Sequence, residues 1–224
     1  MNKPGSATAC GFSLIELMVA LAISSVLLLG LSSIFVSSSQ SRTVQTALAG
    51  IHETGRFGLD QISRHIRMTG SRSANWTLGP VPSALVATDG TSDSLRLTYQ
   101  DTLDCNLVAA PASGFVTNVF DVVGNALRCN GLDLIDNVQE MQVFLGEDTD
   151  NDDVPNRLVA PGSAGLQMNR VVSINLNLLV ASNENAVSVN TPVFSHDFWN
   201  TVPESTDTRI WREYSTTISL RNGL

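Results

Sequence analysis

FSLIELMVALAISSVLLLGLSSIFV, residues 12–36, is the stretch on which the architecture of this chain turns. Its only charged residue is Glu16, and about 25 residues of helix at ~1.5 Å each are long enough to cross the ~30 Å hydrocarbon core of a bilayer. A secretory signal has a shorter apolar region, roughly 7–15 residues, and its cleavage site follows that region. Lys3 precedes the run and Arg42 is the first basic residue after it, which favours a cytoplasmic N-terminus. Glu16 sharpens the question. A carboxylate near the start of an apolar span is costly unless paired, so it either snorkels toward headgroups or is kept for a partner.

Beyond residue 36 the composition turns to serine without a proline, and helical periodicity resumes. Val44, Leu48, Ile51, Gly55, Leu59, Ile62 and Ile66 recur every three or four residues as an apolar stripe. The helix is therefore expected to run from residue 12 to residue 69, with Gly70 as its stop and residues 12–36 as its membrane-spanning part. Gly50, Gly55 and Gly58 each lower helix propensity by up to about 1 kcal/mol, so packing of the stripe has to compensate. Arg42, Arg56, Arg64 and Arg67 are expected on the wet side. His52 and His65 read as surface or boundary residues.

After residue 84 the texture becomes one of short alternating runs, at residues 94–99, 115–123, 138–145, 170–180 and 209–220. In the fourth, Val172, Ile174, Leu176 and Leu178 alternate with Ser173, Asn175 and Asn177, the period-two pattern of a half-buried strand. The expected class is α+β: one long N-terminal helix packed against a C-terminal antiparallel β-sheet domain, residues 70–224. Trp76, Trp199 and Trp211 read as core aromatics.

The net charge is −8, with acidic residues concentrated in the β-rich part. That argues against direct nucleic-acid contact, which needs clustered cations. The sequence carries no nucleophile elbow, no phosphate-cradling glycine loop and no zinc-ligand spacing, and it reads as a non-enzyme. One motif has chemistry of its own. In DTDNDDVPN, residues 148–156, Asp148, Asp150 and Asp152 alternate and could converge on calcium, with the Val154 carbonyl and Asn156 as further ligands. Asp153 stands where an EF-hand loop wants glycine, and Val159 where it wants glutamate. The other reading is a solvated acidic turn.

CGFSLIE, residues 10–16, followed by the apolar run, resembles the prepilin cleavage motif of type IV pilins and type II secretion pseudopilins. The resemblance implies a peptidase that cuts after Gly11 and methylates the new amino terminus, Phe12. Residues 1–11 are then a leader. It also implies that Glu16 pairs with the Phe12 ammonium of a neighbouring subunit during assembly. NVQEMQVFLG (137–146), EDTDND (147–152) and TISLRN (217–222) are further similar to the PilW-type minor pilins, low-abundance subunits of pilus assembly or initiation. Type II secretion minor pseudopilins of the J type are the alternative, and a membrane-tethered periplasmic enzyme a more distant one. The implied partners are other pilins, the prepilin peptidase and the inner membrane before assembly. The β-rich domain would be periplasmic, then exposed on the pilus or cell surface. Cys105 and Cys129 are expected in loops flanking the run at residues 115–123, and loss of Cys10 with the leader leaves them as an even pair in an oxidising compartment, expected as a disulfide; two independent buried thiols are the other possibility.

Overall fold

The apolar run and the amphipathic stripe form one continuous helix, α1 (Leu14–Met68). The computed structural model describes residues 11–72, 81–183, 194–204 and 207–222; Cys10 with the rest of the leader, and Trp76, lie outside them. The chain divides into two compact units, Met1–Gln45 and Thr46–Leu224. In the first, residues 11–43 are all exposed, including Leu14, Leu27, Ile34 and Phe35.

In the second unit, the expected stripe is the buried face: Ile51, Gly55, Ile62 and Ile66 are buried, and Leu59 is half-buried. Arg56, Arg64 and Arg67 are exposed, as the periodicity requires. His65 departs from expectation. It lies beside Ile66 on the inward face, 8% exposed, because its partners there are polar. The helix ends where Gly70 takes a left-handed φ of 75°, and its N–H donates to the Thr98 carbonyl at 3.0 Å.

Among the described residues nine strands follow: β1 (Leu85–Thr88), β2 (Ser94–Gln100), β3 (Phe115–Val123), β4 (Ala126–Cys129), β5 (Leu132–Asp136), β6 (Val138–Glu147), β7 (Arg157–Val159), β8 (Val171–Ala181) and β9 (Trp211–Ser219). They make a five-stranded sheet in the order β1-β2-β3-β4-β5 and a four-stranded sheet in the order β7-β6-β8-β9. Every pairing is antiparallel. The five alternating runs of the sequence correspond to β2, β3, β6, β8 and β9. The other four strands are short, and two of them owe their place to turns. Gly124 and Asn125 both have positive φ between Val123 and Ala126, as do Asn130 and Gly131 between Cys129 and Leu132. Two-residue loops of that kind match the twist of flanking strands. Cys129 therefore ends a strand rather than lying in a loop.

The chain passes from the first sheet to the second through Asn137 alone, at φ 67°. The tip of the β1–β2 hairpin then fastens the two sheets together. Asp93 N–H donates to the Met141 carbonyl at 2.8 Å, and its carboxylate accepts from Val143 N–H at 2.8 Å. One core results, in which Ile51, Ile62 and Ile66 of α1 meet Leu97, Phe120 and Leu127 of one sheet and Val143, Ile174 and Leu176 of the other. A smaller cluster joins Leu179 and Ala181 to Trp199 and Trp211, which are core aromatics as expected.

Two helix glycines have a packing reason. A Cβ on Gly55 would lie 2.3 Å from the Tyr214 ring, and one on Gly58 would lie 2.9 Å from Leu178 Cδ1, whereas one on Gly50 would meet nothing within 4 Å. Gly55→Ala is therefore expected to destabilise by about 1–3 kcal/mol despite the gain of up to ~1 kcal/mol in helix propensity. Gly50→Ala is expected to show only that gain. Thermal unfolding of the full chain in mild detergent checks both, and equal shifts of the same sign would refute the close approach.

Candidate processing and assembly site

Gly11 and Phe12 precede α1 in non-helical conformation, and Phe12 is 91% exposed. Ser13 starts the helix: its carbonyl accepts from Leu17 N–H at 3.2 Å, and Glu16 Oε2 accepts from Ser13 N–H at 3.0 Å. That second bond is the back-reaching half of a capping box, a glutamate at the third helical position satisfying the N-cap amide. Glu16 thus has a partner inside its own chain, which sequence reasoning missed although S-x-x-E was in view. Among the described residues, α1 is the one helix long and apolar enough to cross a membrane. Its first part is apolar on all faces, a composition that needs lipid or other helices around it.

The strand regions carry a second constellation. Cys105 and Cys129 form a disulfide, closing a separation of 24 residues. On the chain-entropy model a loop of about that length stabilises by ~3.5 kcal/mol. Between the disulfide and α1 runs a chain of hydrogen bonds. Cys105 N–H donates to Asn118 Oδ1 at 2.9 Å, Asn118 Nδ2 donates to the Tyr99 oxygen at 2.7 Å, and Tyr99 lies 2.6 Å from His65 Nδ1. Asn118 Nδ2, which can only donate, also lies 3.4 Å from His65 Nδ1, which favours the tautomer in which that nitrogen is unprotonated and accepts the Tyr99 proton. Burial, followed by the nearby Arg64 cation, lowers the His65 pKa. Burial also pushes the Tyr99 hydroxyl up to about 12. Both shifts keep the pair neutral. Asn118 was legible in principle, since it shares a strand face with Val116 and Phe120.

The acidic loop brings Asp148, Asp150 and Asp152 together, with one oxygen of each within 4.8 Å of the others. Asp148 is buried, and its carboxylate accepts from the backbone N–H groups of Asp150, Asn151 and Asp153 at 3.0, 2.7 and 2.8 Å. Burial opposes its ionisation, but these donors outweigh it and hold its pKa below the usual carboxylate value. Asn156 Oδ1 accepts from Thr149 N–H at 2.6 Å, so that expected ligand is engaged within the loop. Val154 donates its N–H to Asp152 at 2.8 Å.

Residues 7–32 match the prokaryotic N-terminal methylation motif, and residues 106–222, just over half of the chain, match the model of Type IV Pilus-assembly protein W. The chain belongs to the pilus-assembly protein W family. The W-family match takes in Asn118, Cys129, the acidic loop and β9, while the methylation motif takes in Gly11, Phe12 and Glu16. A search of curated proteins finds no match. Among solved structures, a type IV-like pilin from Thermus thermophilus is 14% identical with a TM-score of 0.47, over 76% of this chain and 97% of that one. The GspK–GspI–GspJ complex of the enterotoxigenic Escherichia coli type 2 secretion system gives 11% identity and a TM-score of 0.33, over 71% and 92%. Both likenesses are distant, and the assignment stands on the two sequence models. This W-family protein is a pilin-like component of type IV pilus assembly.

Its stability is expected to fall as pH drops. In the unfolded chain His65 takes up a proton near pH 6.5, while in the folded chain its lowered pKa resists it. The unfolded state then binds more protons, and stability is lost from about pH 6.5 down to the folded value. Unfolding measured between pH 7 and 5 checks this: His65→Gln, which cannot titrate, is expected to be less stable at pH 7 but to show a shallower slope. Parallel slopes would remove His65 from the acid response.

Proposed function

We propose that this chain is a minor pilin, cleaved after Gly11 by the prepilin peptidase, held in the inner membrane by residues 12–36 and then built into a type IV pilus with other pilins. The observation that carries this reading is a helix apolar on every side whose single early charge, Glu16, sits four residues after Phe12. An aqueous protein has no use for such a surface, whereas a membrane and then a bundle of like helices both cover it. Glu16 supplies the specificity, because an ammonium on a neighbouring Phe12 is the cation a carboxylate at that depth would seek. The matched family is one of pilus assembly, which sets the secretion pseudopilin reading below this one.

N-terminal mass measurement tests the cleavage: mature protein is expected to begin at methylated Phe12, and Gly11→Val to accumulate uncleaved. A wild-type start elsewhere overturns the reading. Glu16 has two separable roles, as helix cap and as counter-ion. Glu16→Gln retains an oxygen for Ser13 N–H but removes the charge. It is expected to insert and be cleaved normally, yet to incorporate into pili several-fold less well than wild type. Normal incorporation would reduce Glu16 to a cap.

The calcium assignment of the acidic loop is also a proposal. Three oxygens within 4.8 Å of one another suit a cation that takes ligands at about 2.3–2.6 Å. A cation there would relieve the mutual repulsion of Asp148, Asp150 and Asp152. With Asn156 engaged by Thr149, the affinity is expected near 10⁻⁴–10⁻³ M, as in extracellular modules. Millimolar calcium is then expected to raise the melting temperature relative to chelator, and Asp150→Ala to abolish that increment. The same calcium response in wild type and variant would leave the loop a solvated acidic turn.

A further inference from the structure

The four-stranded sheet turns one face to the core and one away from it. On β8, Ile174, Leu176 and Leu178 belong to the core, so Asn175 and Asn177 lie on the outer face. The register places Phe144 of β6 and Thr217 of β9 on either side of Asn175. Residues 194–201 form a strap across part of this face, and buried Glu140 holds it, accepting from Asn200 N–H at 2.9 Å and Thr201 N–H at 2.6 Å. Phe198 of the strap packs on Phe144 with ring centroids 4.9 Å apart, and His196 stacks on Phe198, also at 4.9 Å. His196 Nδ1 in turn lies 2.7 Å from Glu213 Oε2 of β9. Ser215 and Thr217 complete the circuit, because Asn175 Nδ2 donates to both hydroxyls, at 3.4 and 3.0 Å. One patch is thus enclosed, aromatic on one side and polar on the other.

Phe144 and Phe198 are half-buried, while Ser215, Thr217 and His196 are exposed. Each hydroxyl accepts from Asn175 and keeps its own proton for an outside acceptor. Glu213, which also accepts from Ser195 N–H, draws the histidine proton to Nδ1 and leaves Nε2 as an acceptor on the far side of the ring. Asn177 Nδ2 fixes the amide beneath them, donating to Asn175 Oδ1 at 2.7 Å, so the polar groups are oriented before anything binds. The charges around the patch are unfavourable to anions. Asp197 is exposed in the strap and Glu213 lies under His196, whereas Arg212, the only cation of β9, is on the alternate face of its strand. Nucleic acid and other polyanions are therefore poor occupants, and two half-buried rings make a small anchor for a protein. A neutral sugar ring fits both halves, since its C–H face is apolar and its hydroxyls donate and accept. We propose that this outer face binds a neutral oligosaccharide, with one pyranose ring against Phe198 and Phe144 and its hydroxyls bonded to Ser215, Thr217 and His196.

The test titrates the full chain, in micelles of a zwitterionic detergent that carries no sugar, with cellohexaose, maltohexaose and chitohexaose, and with a heparin hexasaccharide as the anionic control. Saturation-transfer NMR is expected to show at least one neutral hexamer binding with a Kd of about 1 mM or tighter, saturated most strongly at the ring C–H protons of one sugar. Thr217→Val, which keeps the shape of an exposed strand residue, is expected to weaken that binding about three-fold, and Phe198→Ala about ten-fold. The disulfide, read by mass, and the melting temperature show that each variant is folded. No binding of any neutral hexamer, tighter binding of the heparin fragment, or an affinity unchanged in folded Thr217→Val and Phe198→Ala would overturn the proposal. So would capture of a protein by a photo-crosslinking benzoylphenylalanine at position 215 in cells, which gives the face to a polypeptide. None of these readouts depends on cleavage or on incorporation into pili, so their failure leaves the assembly reading standing.

Discussion

The approach of α1 to β8 and β9 at Gly58 and Gly55 is the contact on which the globular unit depends. A helix with ordinary side chains at those positions would have to stand off from Leu178 and the Tyr214 ring, opening voids that a close-packed interior does not tolerate. Ile51, Ile62 and Ile66 reach both sheets from that seat. The two sheets in turn share few backbone bonds, being joined at Asn137 and through Asp93. Their mutual placement is held by those bonds, by direct packing of β6 against β2, β3 and β4, and by the helix that both cover. The intrinsic helix penalty of the glycines, up to about 1 kcal/mol each, is small beside the burial of three isoleucines, at about 1.5–3 kcal/mol apiece.

Polar groups fix what the apolar contacts leave loose. An apolar stripe can slide or rotate slightly on a sheet with little change in buried area, but the His65, Tyr99 and Asn118 bonds have one geometry. A displaced helix would leave those buried groups unpaired, at about 1–3 kcal/mol each. The relay reaches Cys105, so the covalent link and the helix register are parts of one network. Its neutrality matters, because neutral partners carry a smaller desolvation cost than a buried ion pair of the same size.

The elements readable from sequence were those with long, single-period patterns. The helix was legible to within two residues at each end, because its stripe and its glycine stop agreed, and the five longest alternating runs all became strands. β4 and β5 were missed for a different reason. They are four and five residues long, too short for period-two counting, although Gly124-Asn125 and Asn130-Gly131 are turn dipeptides that announce hairpins. Cys129 was placed in a loop by the same oversight. His65 was misplaced because a histidine on a stripe boundary carries no hydrophobic signal, and its burial is decided by Tyr99 and Asn118, distant in sequence. The cysteine pairing was legible by parity. The cap on Glu16 was legible too, but the search for an external partner hid the local one.

That local partner changes how the assembly chemistry of Glu16 is argued. An acidic side chain at the edge of an apolar span is costly when unpaired, so a subunit held in a membrane, as proposed, would need some donor for it. Ser13 N–H supplies one at 3.0 Å without any second chain. A carboxylate offers about four acceptor positions, and one amide occupies one of them, leaving room for an ammonium to approach. That amide bond is the one the carboxylate keeps in the isolated chain. On the proposed reading, an ammonium arriving from a neighbour would add a bond in which both partners are charged. On the proposed reading, a serine at position 13 and a glutamate at position 16 would give one side chain an amide partner in isolation and an ammonium partner in a filament, the kind of free-energy difference that a reversible assembly step requires.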